Sequence, residues 1–290
     1  MTTARVDFIS DQALNQLKTL LHVGQDTLND VAQDRILRGI KAGFQDMSYR
    51  YQVVDDPFKG TFEWIFDLDG ESPEASQFTQ WLSSGDGIFH ICGKLGSGKS
   101  TLNAKGGRKL VMANFFFYAL GSDPQHKSLM GLYRSLLYQI LIKVPDLTKN
   151  LLPGQWTAVL SQPKIQSAYE ILDDDIKLAY TPLSKQGDDD FLGEYCFGFF
   201  IDGLDEYQAT TSVDHRKMVH CLKDLANSAS DMFKLCISSR IENPFMDMFS
   251  EDARLYLHKL TRRDMKKYVQ GNLKHIGTQE RRRQLASAIT

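Results

Sequence analysis

Apolar side chains recur every three or four positions between residues 10 and 45, with Leu28, Val31, Ala32, Ile36, Ile40 and Phe44 on one stripe. That spacing predicts an amphipathic helix whose apolar face must be buried. The same period, carried by Leu129, Leu132, Leu136, Ile140 and Leu141, predicts a second helix from about Ser128 to Val144. Shorter helical patterns cover Ala75 to Leu82 and Asp214 to Ala229, and residues 148 to 195 read as helical in part, punctuated by Pro153-Gly154, Pro163 and the loop at Gly187. Between them lie nearly continuous apolar runs: Gly87 to Cys92, Val111 to Tyr118, Phe197 to Ile201 and Phe233 to Ser239, with a last short strand predicted from Arg254 to His258. Strands without polar alternation are buried on both faces, so the pattern predicts a parallel sheet covered by helices. From Thr261 the chain reads as helical again, with Met265, Tyr268 and Val269 on one side.

The ends of those runs carry the candidate chemistry. The first is followed at once by Gly93-Lys94-Leu95-Gly96-Ser97-Gly98-Lys99-Ser100, which matches the phosphate-binding pattern G-x-x-x-x-G-K-[ST]. Glycines at 93, 96 and 98, with Ser97 between, let backbone N–H groups turn inward around phosphates. Lys99 reaches the β and γ oxygens, Ser100 ligates Mg²⁺, and Thr101 is available to share that duty. The third run ends in Asp202-Gly203-Leu204-Asp205-Glu206. Asp202, at a strand end, is the candidate for holding Mg²⁺, and Glu206 or Asp205 for polarising an attacking water. The fourth run ends in Ser238-Ser239-Arg240, which sets an arginine on the same sheet edge as a reader of the γ-phosphate.

Composition narrows the partners. A formal net charge of −2 over 290 residues predicts no general polyanion partner, and the basic clusters at 261–267 and 281–283 read as solvated helix faces, so no nucleic acid is expected. Cys92, Cys196, Cys221 and Cys236 have no ligand spacing and read as reduced thiols, three of them buried in strands. His90, inside a strand, reads as a packed residue. No apolar stretch is long enough to predict a transmembrane helix and no signal-peptide pattern is present, so the expected location is cytoplasmic.

As a set, these stretches resemble the NACHT-type nucleotide-binding domains of fungal STAND proteins, the NOD-like P-loop NTPases, in the form of a nephrocystin-3-like N-terminal NACHT module. The resemblance also rests on Thr61-Phe62-Glu63-Trp64-Ile65-Phe66, the Gly107 to Tyr118 stretch, Lys127 to Ile140 and Leu260-Thr261-Arg262-Arg263-Asp264-Met265. It implies a three-layer α/β/α P-loop NTPase fold with a mostly parallel sheet in the order 5-1-4-3-2. N-terminal helices and a linker would occupy residues 1–55, the nucleotide-binding domain 56–260, and the start of a helical lid 261–290. It further implies an ATP-binding signalling switch with slow, Mg²⁺-dependent hydrolysis, acting in non-self recognition and regulated cell death, with a homo-oligomer or an effector protein as partner. A winged-helix region and a repeat sensor normally follow in such proteins.

Two departures from the family pattern bear on function. Thr101 to Leu110 is shorter than the connection relatives carry, and Gly106-Gly107 stops a helix there, so one or two helical turns and an extended arm are expected. A parallel sheet face beside the phosphate loop would then lack its usual cover, and the stripe Leu28, Val31, Ile36, Ile40 is the candidate to replace it. The chain also stops at Thr290, at the edge of the lid, which leaves open a short functional form, a degenerate or truncated paralogue, or an incomplete gene sequence. Two classes of function follow: an ATP-dependent switch, or a degenerate, non-catalytic interaction module.

Overall fold

The computed structural model describes residues 25–42, 44, 73–85, 87–93, 108–161, 169–184, 192–228 and 233–260. Phosphate-loop residues from Lys94 through Thr101, the rest of the short connection to 107, the aromatic lead-in 61–66, the loop at Gly187 and the lid from 261 lie outside the described residues. At the centre is a five-stranded sheet in the order β2-β3-β4-β1-β5, which read from its other edge is 5-1-4-3-2. The strands are β1 (Gly87–Cys92), β2 (Lys109–Phe116), β3 (Tyr195–Asp202), β4 (Phe233–Ser239) and β5 (Arg254–Tyr256), and every neighbouring pair is parallel. β2 begins two residues before the apolar run at Val111 and ends before Phe117, while β1 keeps the bounds of its run.

Helices cover both faces. The main ones are α1 (Gln25–Lys41), α2 (Pro73–Ser84), α3 (Leu129–Lys143), α4 (Leu147–Leu151), α5 (Pro153–Ser161), α6 (Asp173–Leu178), α7 (Thr181–Ser184), α8 (His215–Ser228), α9 (Asn243–Met248) and α10 (Leu257–Leu260). On one face, α3 and α8 pack onto alternate strand residues, among them Val111, Phe115, Phe197, Phe199, Leu235 and Ile237. On the other, α2 lays Phe78, Trp81 and Leu82 over Phe89, Ile91 and Cys236, with the Trp81 and Phe89 rings 5.4 Å apart. Lys234, at the start of β4, donates to the carbonyl of Leu82 at 2.9 Å and so satisfies one of the orphan acceptors at the α2 C-terminus. The result is a three-layer α/β/α fold.

The α1 stripe is buried from Ala32 onward, with Leu28 and Val31 half-buried, but not where the sequence suggested. Ala32, Ile36, Ile40 and Phe44 join the large cluster on the α3 face, and α1 packs on α3 and α5. The stripe is therefore not the cover of the second sheet face; α2 takes that role. The docking is specific as well as apolar. Gln33 donates to the Leu141 carbonyl at 3.1 Å, and the buried Arg134 donates to Ile40 at 3.1 Å, to Ile171 at 2.9 Å and to the Asp173 carboxylate at 2.8 Å. A guanidinium with that set of acceptors is held in a geometry no lysine can copy.

Among the described residues no strand pairs with the outer edge of β2, and side chains close it. Gln139 on α3 accepts from the Asn114 N–H at 3.0 Å and donates to the Asn114 carbonyl at 2.7 Å, in the way a neighbouring strand would, and Lys143 donates to the Met112 carbonyl. Edge strands left open recruit other strands, and an amide that pairs both backbone groups prevents it. Gln139→Ala is expected to cost about 1–2 kcal/mol for the two lost hydrogen bonds and to promote self-association. Denaturant melts and sedimentation check this, and an unaltered midpoint with a monodisperse variant would show that Gln139 does not close the edge.

Candidate functional site

Because the strands are parallel, β1, β3 and β4 all end at one edge of the sheet. Register sets Phe116 beside Asp202, Ile201 beside Ile237 and Cys92 beside Ser239. The residues just past those ends line a single cleft: Gly93, Phe117, Asp202, Gly203, Asp205, Glu206, Ser238, Ser239 and Arg240. Five of the candidate residues, Gly93, Asp202, Asp205, Glu206 and Arg240, are thus brought together. The remaining ones, Gly96, Ser97, Gly98, Lys99, Ser100 and Thr101, lie outside the described residues.

Backbone conformation shapes the cleft. Gly203 has φ +73°, and a side chain there would meet the Phe117 carbonyl at 3.1 Å. Only a glycine turns the chain so sharply from β3 into the 3-10 turn Leu204–Glu206 without strain. Gly93 has φ +124°, its N–H donates to the Ser239 carbonyl at 3.0 Å, and a Cβ would press on Leu257 at 3.0 Å. The chain therefore leaves β1 toward the glycine-rich run in a conformation that tolerates little else.

Each acidic side chain has its own partner. Ser238 donates to the Asp202 carboxylate and accepts from the Gly203 N–H at 3.2 Å, so one hydroxyl fixes the last residue of β3 and the turn after it. Asp205, with a side chain only 7 % exposed, accepts the Arg240 N–H on Oδ1 at 2.9 Å and forms an ion pair through Oδ2 with Arg240 Nε at 3.2 Å. Glu206 accepts from the Ala119 N–H at 3.0 Å, which ties the turn to the loop following β2. Ser238 and Ala119 are not among the residues that the sequence pattern singles out. Ser-Ser ahead of Arg240 at a strand end was the available signal for the former; nothing in sequence marks the latter, whose part depends on the tertiary approach of two loops.

Behind the cleft lie His90, Cys236 and Arg254, all buried. His90 donates from Nε2 to Ser239 Oγ at 2.8 Å, since that hydroxyl itself donates to the Arg240 carbonyl at 2.8 Å, and its ring packs 4.9 Å from Phe249. Burial, and then the Arg254 cation, hold its pKa down at about 3. Arg254 is itself buried and donates to the Met246 and Phe249 carbonyls at 2.7 and 2.5 Å. Burial, followed by the Asp202 carboxylate, pushes the Cys236 thiol above its usual range. All four cysteines are free thiols. Among the described residues no three His, Cys, Asp or Glu side chains converge to hold a metal, and no helix is long and apolar enough to cross a membrane.

What the arrangement offers a ligand is oxygen and cation in one place. Asp202 presents a hard carboxylate at a strand end, suited to Mg²⁺, which is commonly bound through one or two carboxylates together with phosphate oxygens and water. Arg240 presents a guanidinium 63 % exposed, suited to phosphate oxygens. The donor set thus fits a nucleotide with its metal.

A helix-covered parallel sheet with its polar residues gathered at the C-terminal edge has the general layout of the P-loop NTPase-like proteins. The family profile described as Nephrocystin 3, N-terminal, matches residues 60–240, more than half of the chain, and the protein belongs to that family. The match supports, at the level of the domain, a relationship to the STAND/NACHT proteins. It takes in β1 through Arg240 and leaves α1 outside, although α1 is part of the same core. No curated protein and no solved structure matches the chain.

His90 makes acid stability a measure of this packing. Well above pH about 6.5 the ring is neutral in both folded and unfolded chains, and its titration leaves stability unchanged. As pH falls toward 3 the unfolded chain takes up the proton first, so stability is lost across that window at up to about 1.4 kcal/mol per pH unit. His90→Asn keeps a neutral donor for Ser239 and should flatten the fall in unfolding free energy between pH 6 and 4 by up to about one proton. Parallel slopes for the two proteins would mean that the ring is protonated in the fold.

Proposed function

We propose that the cleft at the ends of β1, β3 and β4 binds a nucleoside triphosphate with Mg²⁺, ATP being the nucleotide that the family resemblance implies, and that the protein is a signalling switch with slow hydrolysis. The observation that carries this reading is the convergence of Gly93, Asp202 and Arg240 on one cleft, with the G-x-x-x-x-G-K-S run starting at Gly93. In this assignment Gly93, its own N–H held by Ser239, turns the chain so that the N–H groups of Gly96, Ser97 and Gly98 cradle phosphate, Lys99 neutralises the β and γ oxygens, and Thr101 supports Ser100. Ser100 and Asp202 hold the metal, which when bound supplies charge neutralisation across the phosphates. Ser238 keeps the Asp202 carboxylate in one orientation, so little order has to be gained on binding. Glu206 orients water after leaving the Ala119 N–H, and Arg240 meets the γ-phosphate. A second copy or an effector protein is the partner that would read the switch.

A second reading, a non-catalytic interaction module, has its own support. Asp202, Asp205 and Glu206 are each engaged by a protein donor, so no carboxylate of the acidic turn stands waiting for water or metal. The short connection after Thr101 points the same way.

Titration calorimetry separates the two. The switch reading expects specific Mg·ATP binding that Lys99→Ala weakens about tenfold or more, equivalent to about 1.4 kcal/mol. It also expects Glu206→Gln to retain ATP binding while suppressing hydrolysis. A folded protein with no detectable ATP binding would establish the interaction module instead.

A further inference from the structure

Asp205 and Glu206 are adjacent carboxylates in one 3-10 turn, yet their surroundings divide their work. Leu204, fully buried, pins the turn, and Gly203 directs it toward the end of β4. Asp205 is thereby carried under Arg240, where one oxygen accepts the main-chain N–H and the other forms an ion pair with the side-chain Nε at 3.2 Å. Ser239 Oγ donates to the Arg240 carbonyl, so this residue is held at three points. The two Nη groups are not among the atoms Asp205 engages, and among the described residues no other acceptor is paired with them. They form the exposed end of a side chain that lines the cleft.

We infer that Asp205 is a positioning residue for Arg240, holding the guanidinium by Nε so that its Nη pair is preset as a fork for the terminal phosphoryl group of a nucleoside triphosphate, and that Asp205 is not the residue that orients water. This rests on the nucleotide reading of the cleft. The chemistry favours the division. A base that polarises water needs an accessible lone pair, whereas Asp205 is nearly enclosed, with one oxygen on the Arg240 main-chain N–H and the other against its guanidinium. An arginine otherwise free about several bonds loses that freedom on meeting a ligand, and a carboxylate that has already fixed Nε lowers the cost. Only the triphosphate carries the group such a fork would meet, so the consequence is discrimination between triphosphate and diphosphate rather than overall affinity.

The test measures Mg·ATP and Mg·ADP dissociation constants by calorimetry for the full chain and for Asp205→Asn, Arg240→Ala and the double variant, with single-turnover hydrolysis alongside. The expected result is that Asp205→Asn shifts the ATP-to-ADP preference about tenfold toward ADP, the scale of one charge-assisted hydrogen bond. Arg240→Ala should do the same, and the double variant no more than Arg240→Ala alone, because both act through one contact. Arg240→Lys, which keeps the charge but has neither Nε–H nor fork, should behave like Arg240→Ala and serves if Asp205→Asn does not fold. Asp205→Glu should restore part of the preference. An unchanged preference with hydrolysis abolished in Asp205→Asn would overturn the inference and make Asp205 the water-orienting group. Equal weakening of ATP and ADP, tracking a lowered melting temperature, would overturn it in favour of a fold role only. Failure of the wild type to bind either nucleotide would take down the nucleotide reading itself, a result distinct from a wild type that binds both and a variant that leaves the preference unmoved.

Discussion

The cleft exists because three parallel strands stop in step. With Cys92 opposite Ser239, Ile201 opposite Ile237 and Phe116 opposite Asp202, the next residues of β1, β3 and β4 emerge side by side at one edge. A slip of one residue would exchange the faces of an entire strand, turning Phe197 and Phe199 away from the core they fill. Packing on both faces therefore fixes the register, and the register fixes the site. The hydroxyl of Ser238 finds the Asp202 carboxylate, and Arg240 finds Asp205, only because β3 and β4 cannot slide.

Both faces contribute to that constraint in different ways. The larger cluster, with α3, α8 and α1, is built from helices read without difficulty in their apolar periods. The smaller cluster depends on α2, whose Phe78 and Trp81 stack at 6.2 Å and cover Phe89, and on Leu255 and Leu257 from the β5 region. Behind the cleft His90 is paired with Ser239, and the Arg254 guanidinium donates to two carbonyls at the end of α9. Buried donors and acceptors left without partners would be costly, so this arrangement stabilises the β1–β4 edge as well as shaping it.

The parallel sheet was legible in sequence because its strands are continuous apolar runs bounded by glycine or charge, and the helix of residues 128–144 because its period is regular. Where α1 docks was not. An amphipathic stripe says that a helix is buried but not against what, and Ile36 and Ile40 lie on the α3 side rather than beside β1. Pro153 read as punctuation and is indeed a break, yet it also opens α5, the position where a missing N–H costs nothing. In the candidate site, the gathering of Asp202, Asp205, Glu206 and Arg240 on one edge followed from their positions at strand ends. The separate tasks of Asp205 and Glu206 did not follow, since adjacent residues in a 3-10 turn point about 120° apart and only the turn's orientation decides which one lies under Arg240. The parts of Ser238 and Ala119 depend on contacts across 36 and 87 positions of chain, which no local pattern encodes.

The central claim is that a nucleotide is bound at this sheet edge. Hydrogen exchange read by mass spectrometry, with and without Mg·ATP, tests it at the level of segments. Nucleotide binding at this edge should slow exchange only in the Gly93–Thr101 run, the Asp202–Glu206 turn and the Ser238–Arg240 strand end, with α6 and α7 unaffected. Ligand-induced protection that falls elsewhere, or exchange at these three segments that does not respond to saturating Mg·ATP, would contradict it.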